Sequence, residues 1–453
     1  MKIHFISIGG NVMHQLAIAL QQKGHTITGS DDEIVDPARG NLAKAGLLPA
    51  AIGWNSELIS KSLDAVILGM HAREDNPELQ KAKALQLPIY SFPEYIYRES
   101  LQKLRIVVGG SHGKTTTTAM IMHALQHCGK DFDYLVGARL NGFDQSVKIT
   151  DAPIIVCEGD EYPASAILKK PKFHFLHPHI AIITGIAWDH INVFPTFENY
   201  LEQFAIFINK IEPGGTLIYN QSDTVLNQLV QSQTRTDITY LPYQIPEHSI
   251  QDGITNITLE TTSGTLQVFG AHNLLNLHAA WLVCKQLEIS PTEFLQAMQN
   301  FTGAAKRLEL MASNRSTRVY RDFAHAPSKV MATLQAIRQQ FPQQNILAVL
   351  ELHTYSSLNE QFIHEYNQSL NAANKAVVFY SAHALELKKL PPLSKEKVQE
   401  GFNRNDLAVI QDKTELMQWL QNQDYANSVL LLMSSGNFDG ADMLTFAKTI
   451  TAD

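Results

Sequence analysis

Cysteine is scarce in this 453-residue chain: Cys128, Cys157 and Cys284 stand isolated from one another, without paired metal-ligand spacing. That excludes a disulfide framework and a zinc-finger type of site, and all three read as buried free thiols. Positive charge is short as well. The 36 Lys and Arg against 44 Asp and Glu leave a formal net charge of -8, which removes the broad basic footprint of a nucleic-acid-binding protein. An anionic ligand must then be held by local devices such as phosphate loops. Long apolar runs are missing too, and the first ten residues lack the basic start and apolar core of a secretion signal. The expectation is a cytoplasmic protein that engages neither membrane nor nucleic acid. Low-complexity tracts are absent, and 45% hydrophobic with 18% charged residues predicts a chain that is folded over most of its length.

What is present is a repeated alternation of short apolar runs with segments of helical period. The length calls for several domains, and the pattern divides into three α/β series. Residues 1–104 carry runs at 3–8, 26–29, 65–69 and 87–90, separated by helical stretches, which predicts a Rossmann-like sheet of parallel strands. Residues 105–310 carry runs at 105–109, 154–158, 180–185 and 216–219. Between residues 238 and 270 a Thr- and Ile-rich alternation with a turn at Ser263-Gly264 predicts an added β-hairpin. Residues 311–453 carry runs at 318–323, 346–350, 376–379, 407–410 and 428–433, predicting a second Rossmann-like unit.

The central series holds the clearest chemistry. After the apolar run Ile106-Val107-Val108-Gly109 come Gly110-Ser111-His112-Gly113-Lys114-Thr115-Thr116 and the start of a helix. Glycines let backbone N–H groups surround phosphate oxygens, a helix N-terminus favours anions, Lys114 supplies a point charge and Thr115 a hydroxyl for Mg²⁺. Val108 stands where the general pattern has its first glycine, so the loop is a variant. The run ending at Glu158 leads into Gly159-Asp160-Glu161, and the next run leads to Asp189-His190. Both place polar groups at the carboxyl edge of a sheet, where α/β ligands bind, and Glu158 is the natural Mg²⁺ ligand. At the N-terminus, Gly9-Gly10-Asn11 does not complete a dinucleotide fingerprint, although Asp31 lies at close to the right spacing. Dinucleotide binding, as in a nicotinamide oxidoreductase, stays open from this segment alone.

Taken in order, these segments resemble the Mur ligase family. The phosphate loop, Glu158-Gly159-Asp160-Glu161 and Asp189-His190 match in sequence and spacing. Gly270-Ala271-His272-Asn273-Leu274-Leu275-Asn276 looks like the family's adenine-recognition helix, Lys306-Arg307-Leu308-Glu309 like its phosphate-contacting segment, and Asp322-Phe323-Ala324-His325-Ala326-Pro327 like the segment that closes over the nucleotide. The resemblance implies an ATP-dependent ligase. ATP would contact residues 110–116 (Gly110, Ser111, His112, Gly113, Lys114, Thr115, Thr116), His272, Asn273, Asn276, Arg307, Asp322 and His325. Thr115, Glu158 and His190 would hold Mg²⁺, and Lys114, Glu158, His190 and Arg307 would carry catalysis. The UDP-linked muramic acid would lie on Gly9, Gly10, Asn11, Ser30, Asp31, His71 and Asn76.

Two departures from the family pattern matter. Gly69-Met70-His71-Ala72 replaces the usual sugar-nucleotide segment, with Asn76-Pro77-Glu78 retained, and Ala205 stands where several members carry a carbamylated lysine. No lysine carbamate is therefore expected. Histidine after Ser111 marks a branch that holds both an L-alanine-adding and a tripeptide-adding ligase. Asp189 to Phe194, Glu351 to Ser357 and Ser434 to Gly440 look more like the latter. The expected reaction joins L-alanyl-γ-D-glutamyl-meso-diaminopimelate, the murein tripeptide, to UDP-N-acetylmuramate through an acyl phosphate, in peptidoglycan recycling, by a monomer or weak homodimer with a mobile third domain. The alternatives are addition of L-alanine and, from another class, an ATP-responsive regulator without turnover.

Overall fold

A computed structural model describes residues 1–70, 72–137, 140–188, 193–251, 253–303 and 307–452. Asp189, His190, His71 and Lys306, all singled out in the sequence, lie outside the described residues. The chain has the α/β architecture expected of it, with largely parallel sheets, and forms two compact units: Met1–Ile245 with Leu275–Ala297, and Pro246–Leu274 with Met298–Asp453.

In the first unit, β1 (Lys2–Ile6), β2 (Thr26–Ser30), β3 (Ala65–Leu68) and β4 (Ile89–Ser91) form a parallel sheet of order β2-β1-β3-β4. A seven-stranded sheet follows, from β5 (Leu104–Gly109), β6 (Phe132–Leu135), β7 (Val147–Lys148), β8 (Ile154–Glu158), β9 (Ile180–Ile183), β10 (Thr216–Asn220) and β11 (Thr239–Tyr243), in the order β11-β10-β9-β5-β8-β6-β7. Only β7 runs antiparallel. Its central strands are continuous apolar runs because helices cover both faces of a parallel sheet. One buried cluster, from Ile3 and Phe5 through Val107 to Phe207, runs through both sheets.

β6 and β7 escaped the sequence reading, and β11 lies inside the stretch read as an added hairpin but joins this sheet instead. Asp133 interrupts β6, yet it is fully buried and accepts from Lys103 Nζ at 2.7 Å. Pro242 sits in β11, which tolerates it as an edge strand. β7 is two residues long.

In the second unit, β12 (His248–Gln251), β13 (Ile254–Leu259) and β14 (Thr262–Leu266) make an antiparallel meander. The hairpin turn is not at Ser263-Gly264: those residues pair with Thr258 and Ile257, and the chain reverses at Glu260-Thr261, with Glu260 at φ 55. A two-residue loop needs positive φ to match strand twist, so here a glutamate makes the turn and the glycine serves as strand. Gln340 Nε2 donates to the Gly253 carbonyl at 2.6 Å within this unit. The remaining sheet, from β15 (Glu309–Ser313), β16 (Thr317–Asp322), β17 (Asn345–Glu351), β18 (Lys375–Phe379), β19 (Ala408–Ile410) and β20 (Ser428–Met433), has the order β15-β16-β20-β17-β18-β19. It is parallel except for β15, an edge strand the sequence reading missed, and apolar clusters line it. Cys157 and Cys284 are buried, as expected, whereas Cys128 is only half-buried at a helix end. Among the described residues no helix is long and apolar enough to cross a membrane.

Candidate active site

Strand order puts the phosphate loop where chemistry can converge. β5 lies between β8 and β9, with Val108 paired to Glu158 and Gly109 to Ile183, so the loop leaving β5 emerges between Glu158 and Thr184. This is the carboxyl edge of a parallel sheet at a reversal of strand order. The helix Lys114–His127 begins directly after Gly113, which takes φ 85. A Cβ on Gly113 would strike the Asn276 side-chain oxygen, and one on Gly110, at φ 124, would strike Thr184, so both glycines are required by conformation and by space.

Lys114 Nζ donates to the Gly110 carbonyl at 2.6 Å and to Glu161 Oε2 at 2.8 Å. Burial by itself lowers the lysine, but Glu161, Asp160 and Glu158 outweigh it and hold the ammonium above the ordinary lysine range. Lys114 is thus a permanent cation at the loop. Thr115 Oγ1 donates to Glu158 Oε1 at 2.7 Å, and the other carboxylate oxygen accepts from Gly137 N at 3.0 Å. A hydroxyl and a carboxylate side by side are hard oxygen donors, which fit Mg²⁺. Ser111 Oγ lies 2.8 Å from Tyr200 Oη, His112 Nδ1 lies 2.8 Å from the Ser111 carbonyl, Thr116 is buried in the first helical turn, and Asn276 packs at Gly113. Glu161 and Thr184 carry more of this arrangement than the sequence reading gave them. Glu161 stood in the quoted motif without a role, and Thr184 had no signal beyond ending an apolar run.

At the N-terminal sheet, the turn after β1 is held by Asp31. Its fully buried carboxylate accepts from Gly9 N at 2.7 Å and from Asp32 N at 3.0 Å, while the Ser30 carbonyl accepts from Ser7 N and Ile8 N. Asp31 therefore shapes the turn. Gly10 accepts from His14 Nδ1 at 2.9 Å, and the other imidazole nitrogen receives Gln15 and Asn41 side-chain amides, so His14 is neutral. Asn11 is exposed as the first helical residue. Asn76 caps the helix Pro77–Ala84 by accepting from Glu78 N and Leu79 N, and with Trp54, Met70 and Arg73 it lines a cavity of about 870 Å³.

In the second unit, Asp322 is a hub at the end of β16. It accepts from Leu308 N and Ala324 N, each at 2.7 Å, and from Thr333 Oγ1 at 3.3 Å. The Arg307 guanidinium lies over the Phe323 ring at 4.7 Å, and His325 Nδ1 lies 2.8 Å from the Phe323 carbonyl. Burial lowers the His272 imidazole; Asp322 opposes this and Arg307 adds to it. Arg307, Asp322 and His272 are thus brought together. The Asn273 amide donates to the Phe269 carbonyl at 2.9 Å. The Glu351 carboxylate accepts from Ser434 Oγ and Phe438 N, and Gly436 packs on His353 with no room for a Cβ.

Three family models cover most of the chain: "Mur ligase family, catalytic domain" over residues 2–102, "Mur ligase middle domain" over 108–284 and "Mur ligase, glutamate ligase domain" over 306–436. A UDP-N-acetylmuramate–L-alanine ligase of Arthrobacter sp. (strain FB24) is 32% identical over 386 residues, 83% of this chain and 80% of the relative. Among solved structures, a UDP-N-acetylmuramate-alanine ligase of Thermotoga maritima covers 99% of this chain and 98% of its own at TM-score 0.69 and 21% identity. A murein peptide ligase of Psychrobacter arcticus covers the same shares at TM-score 0.62 and 21% identity, a likeness of fold. Curated relatives at 27–32% identity carry the L-alanine ligase name, and this overturns the expected tripeptide acceptor and recycling role. Two of the segments that suggested the tripeptide, Glu351 to Ser357 and Ser434 to Gly440, hold one another, Glu351 on Ser434 and His353 against Gly436, so these two report loop architecture more than acceptor; residues 189–192 of the third lie outside the described residues.

Proposed function

Because the chain belongs to the Mur ligase family, we propose that it joins L-alanine to the carboxylate of UDP-N-acetylmuramate. It is an ATP-dependent amide ligase that forms ADP and phosphate, with a place in peptidoglycan biosynthesis. The observation that carries the chemistry is the phosphate loop at the carboxyl edge of β5, with Lys114 on Gly110 and Glu161 and Thr115 on Glu158. The acceptor follows the curated relatives. ATP and sugar nucleotides are supplied in the cytoplasm, where we place the protein.

A carboxylate is a poor acyl donor at neutral pH because its oxygen is a poor leaving group. Attack of that oxygen on the γ-phosphorus of ATP forms an acyl phosphate and releases ADP. The amine of alanine then adds to the acyl carbon, and phosphate leaves. Charge accumulates on the transferring phosphoryl and on the tetrahedral carbon, so fixed cations and N–H groups supply most of the rate. Lys114 is the cation already aimed at the loop, and residues 110–116 provide N–H donors at a helix N-terminus. Mg²⁺ would be held by Thr115 and Glu158, with His190 as the sequence-based third ligand, and when bound it supplies Lewis-acid charge neutralisation. Toward the nucleotide this reading keeps His272, Asn273, Asn276, Arg307, Asp322 and His325, and toward the UDP moiety the Gly9–Gly10 turn with Asn11, Ser30, Asp31, His71 and Asn76.

The test is ADP release with ATP, Mg²⁺ and UDP-N-acetylmuramate, comparing L-alanine with L-alanyl-γ-D-glutamyl-meso-diaminopimelate. Turnover with alanine is expected. Turnover with the tripeptide alone would refute the acceptor assignment and leave the ligase chemistry standing.

A further inference from the structure

The phosphate-loop lysine is tied to a buried chain of hydroxyls that the ligase chemistry does not call for. Ala187 N donates to Ser111 Oγ at 2.9 Å, Ser111 Oγ lies 2.8 Å from Tyr200 Oη, and Tyr200 Oη donates to Glu161 Oε1 at 3.5 Å. The second oxygen of Glu161 receives Lys114 Nζ, which also binds the Gly110 carbonyl. Since Ser111 Oγ already accepts from Ala187, its own proton is free to go to Tyr200, whose proton goes to Glu161. Every donor then points the same way and the run ends on one carboxylate, a geometry in which each bond polarises the next. Tyr200 is fully buried and Glu161 nearly so, at 0% and 1% exposure, so both links are shielded from bulk water. The Tyr200 ring is held separately by edge contacts with Phe194 and Phe204.

We infer that Tyr200 is a positioning residue for ATP: through Ser111 it fixes the phosphate loop, and through Glu161 it sets where the Lys114 ammonium sits. Glu161 is a counter-ion that Lys114 shares with an incoming phosphate. When the ammonium turns to phosphate, the buried carboxylate keeps a donor in Tyr200, so the lysine is released without leaving an unsolvated charge. The hydroxyl thus lowers the free-energy cost of nucleotide binding, and the helix Phe197–Asn209 that bears it is coupled to the loop.

This inference rests on the reading of residues 110–116 as the ATP phosphate loop, and the experiment separates the two. Fluorescence titration with N-methylanthraniloyl-ATP needs no acceptor. Lys114→Ala should lose binding; equal affinity in that variant and the wild type would overturn the loop assignment and the relay with it. Tyr200→Phe, which keeps the ring, should weaken binding by about tenfold, the loss expected of one hydrogen bond to a charged group. Its KM for UDP-N-acetylmuramate should be unchanged. Ser111→Ala should weaken binding to a similar degree, and the double variant should lose little more than either single one, because both cut the same chain. A lower melting temperature with unchanged nucleotide affinity in Tyr200→Phe would mean packing alone and sink the relay, as would additive losses in the double variant. If Tyr200→Phe does not fold, unchanged affinity in Ser111→Ala decides against the relay, and a tenfold loss that leaves the UDP-substrate KM intact decides for it.

Discussion

Replacing Asp322 by alanine should destabilise the second unit by more than any surface change nearby. The carboxylate accepts from Leu308 N and Ala324 N, both at 2.7 Å, and from the Thr333 hydroxyl at 3.3 Å, and the residue is 8% exposed. Truncation leaves two backbone donors facing a pocket that water enters poorly. Each orphaned buried donor costs about 1–3 kcal/mol, which sums to about 2–6 kcal/mol. For a unit of this size about 2–4 °C of melting temperature accompanies each kcal/mol, so a fall of about 4–24 °C is expected in scanning calorimetry. Asp322→Asn should lie between the two proteins: one amide oxygen still accepts, while the amide nitrogen opposes an N–H. If Asp322→Ala melts within about 2 °C of the wild type, the hub carries no such energy and the reasoning from buried donors fails at this site.

Two further outcomes follow from the same geometry. Gly110→Ala forces a Cβ onto Thr184 at a backbone φ of 124, so nucleotide affinity measured by titration should drop at least about tenfold even where the fold survives; wild-type affinity would contradict the required close approach. Burial lowers His14 below its ordinary 6.5, against an opposing contribution from its Gly10 hydrogen bond. A depressed folded pKa means stability that is present above 6.5 and is lost as pH falls through the folded value, because the unfolded chain takes up the proton first. Denaturant titrations from about pH 7.5 to about pH 5.5 should show the wild type losing stability more steeply than His14→Gln, by at most about 1.4 kcal/mol per pH unit; identical slopes would refute the assignment.

The composition and local patterns of this chain determined the α/β class, most of the parallel strands and the phosphate loop, because each is written in neighbouring residues. An apolar run followed by glycines, Lys114 and Thr115 has few other physical uses. Elements whose stability comes from elsewhere were not legible. β6 keeps Asp133 because Lys103, thirty positions away, pairs with it and Thr150 donates to it, and β11 keeps Pro242 because it ends up at an edge. Side-chain roles at the sites were legible in type and not in partner. Asp31 was named for a ligand by its spacing, and in the fold its carboxylate holds the Gly9 amide. Tyr200 was not singled out, since nothing within its own segment announces Ser111 or Glu161. Strand order decided that meeting: β5 between β8 and β9 sets Glu158 and Thr184 beside the loop. Sequence carries the chemistry of each group, whereas hydrogen-bond partners are chosen by distances of a few ångströms that exist only once parallel strands have aligned.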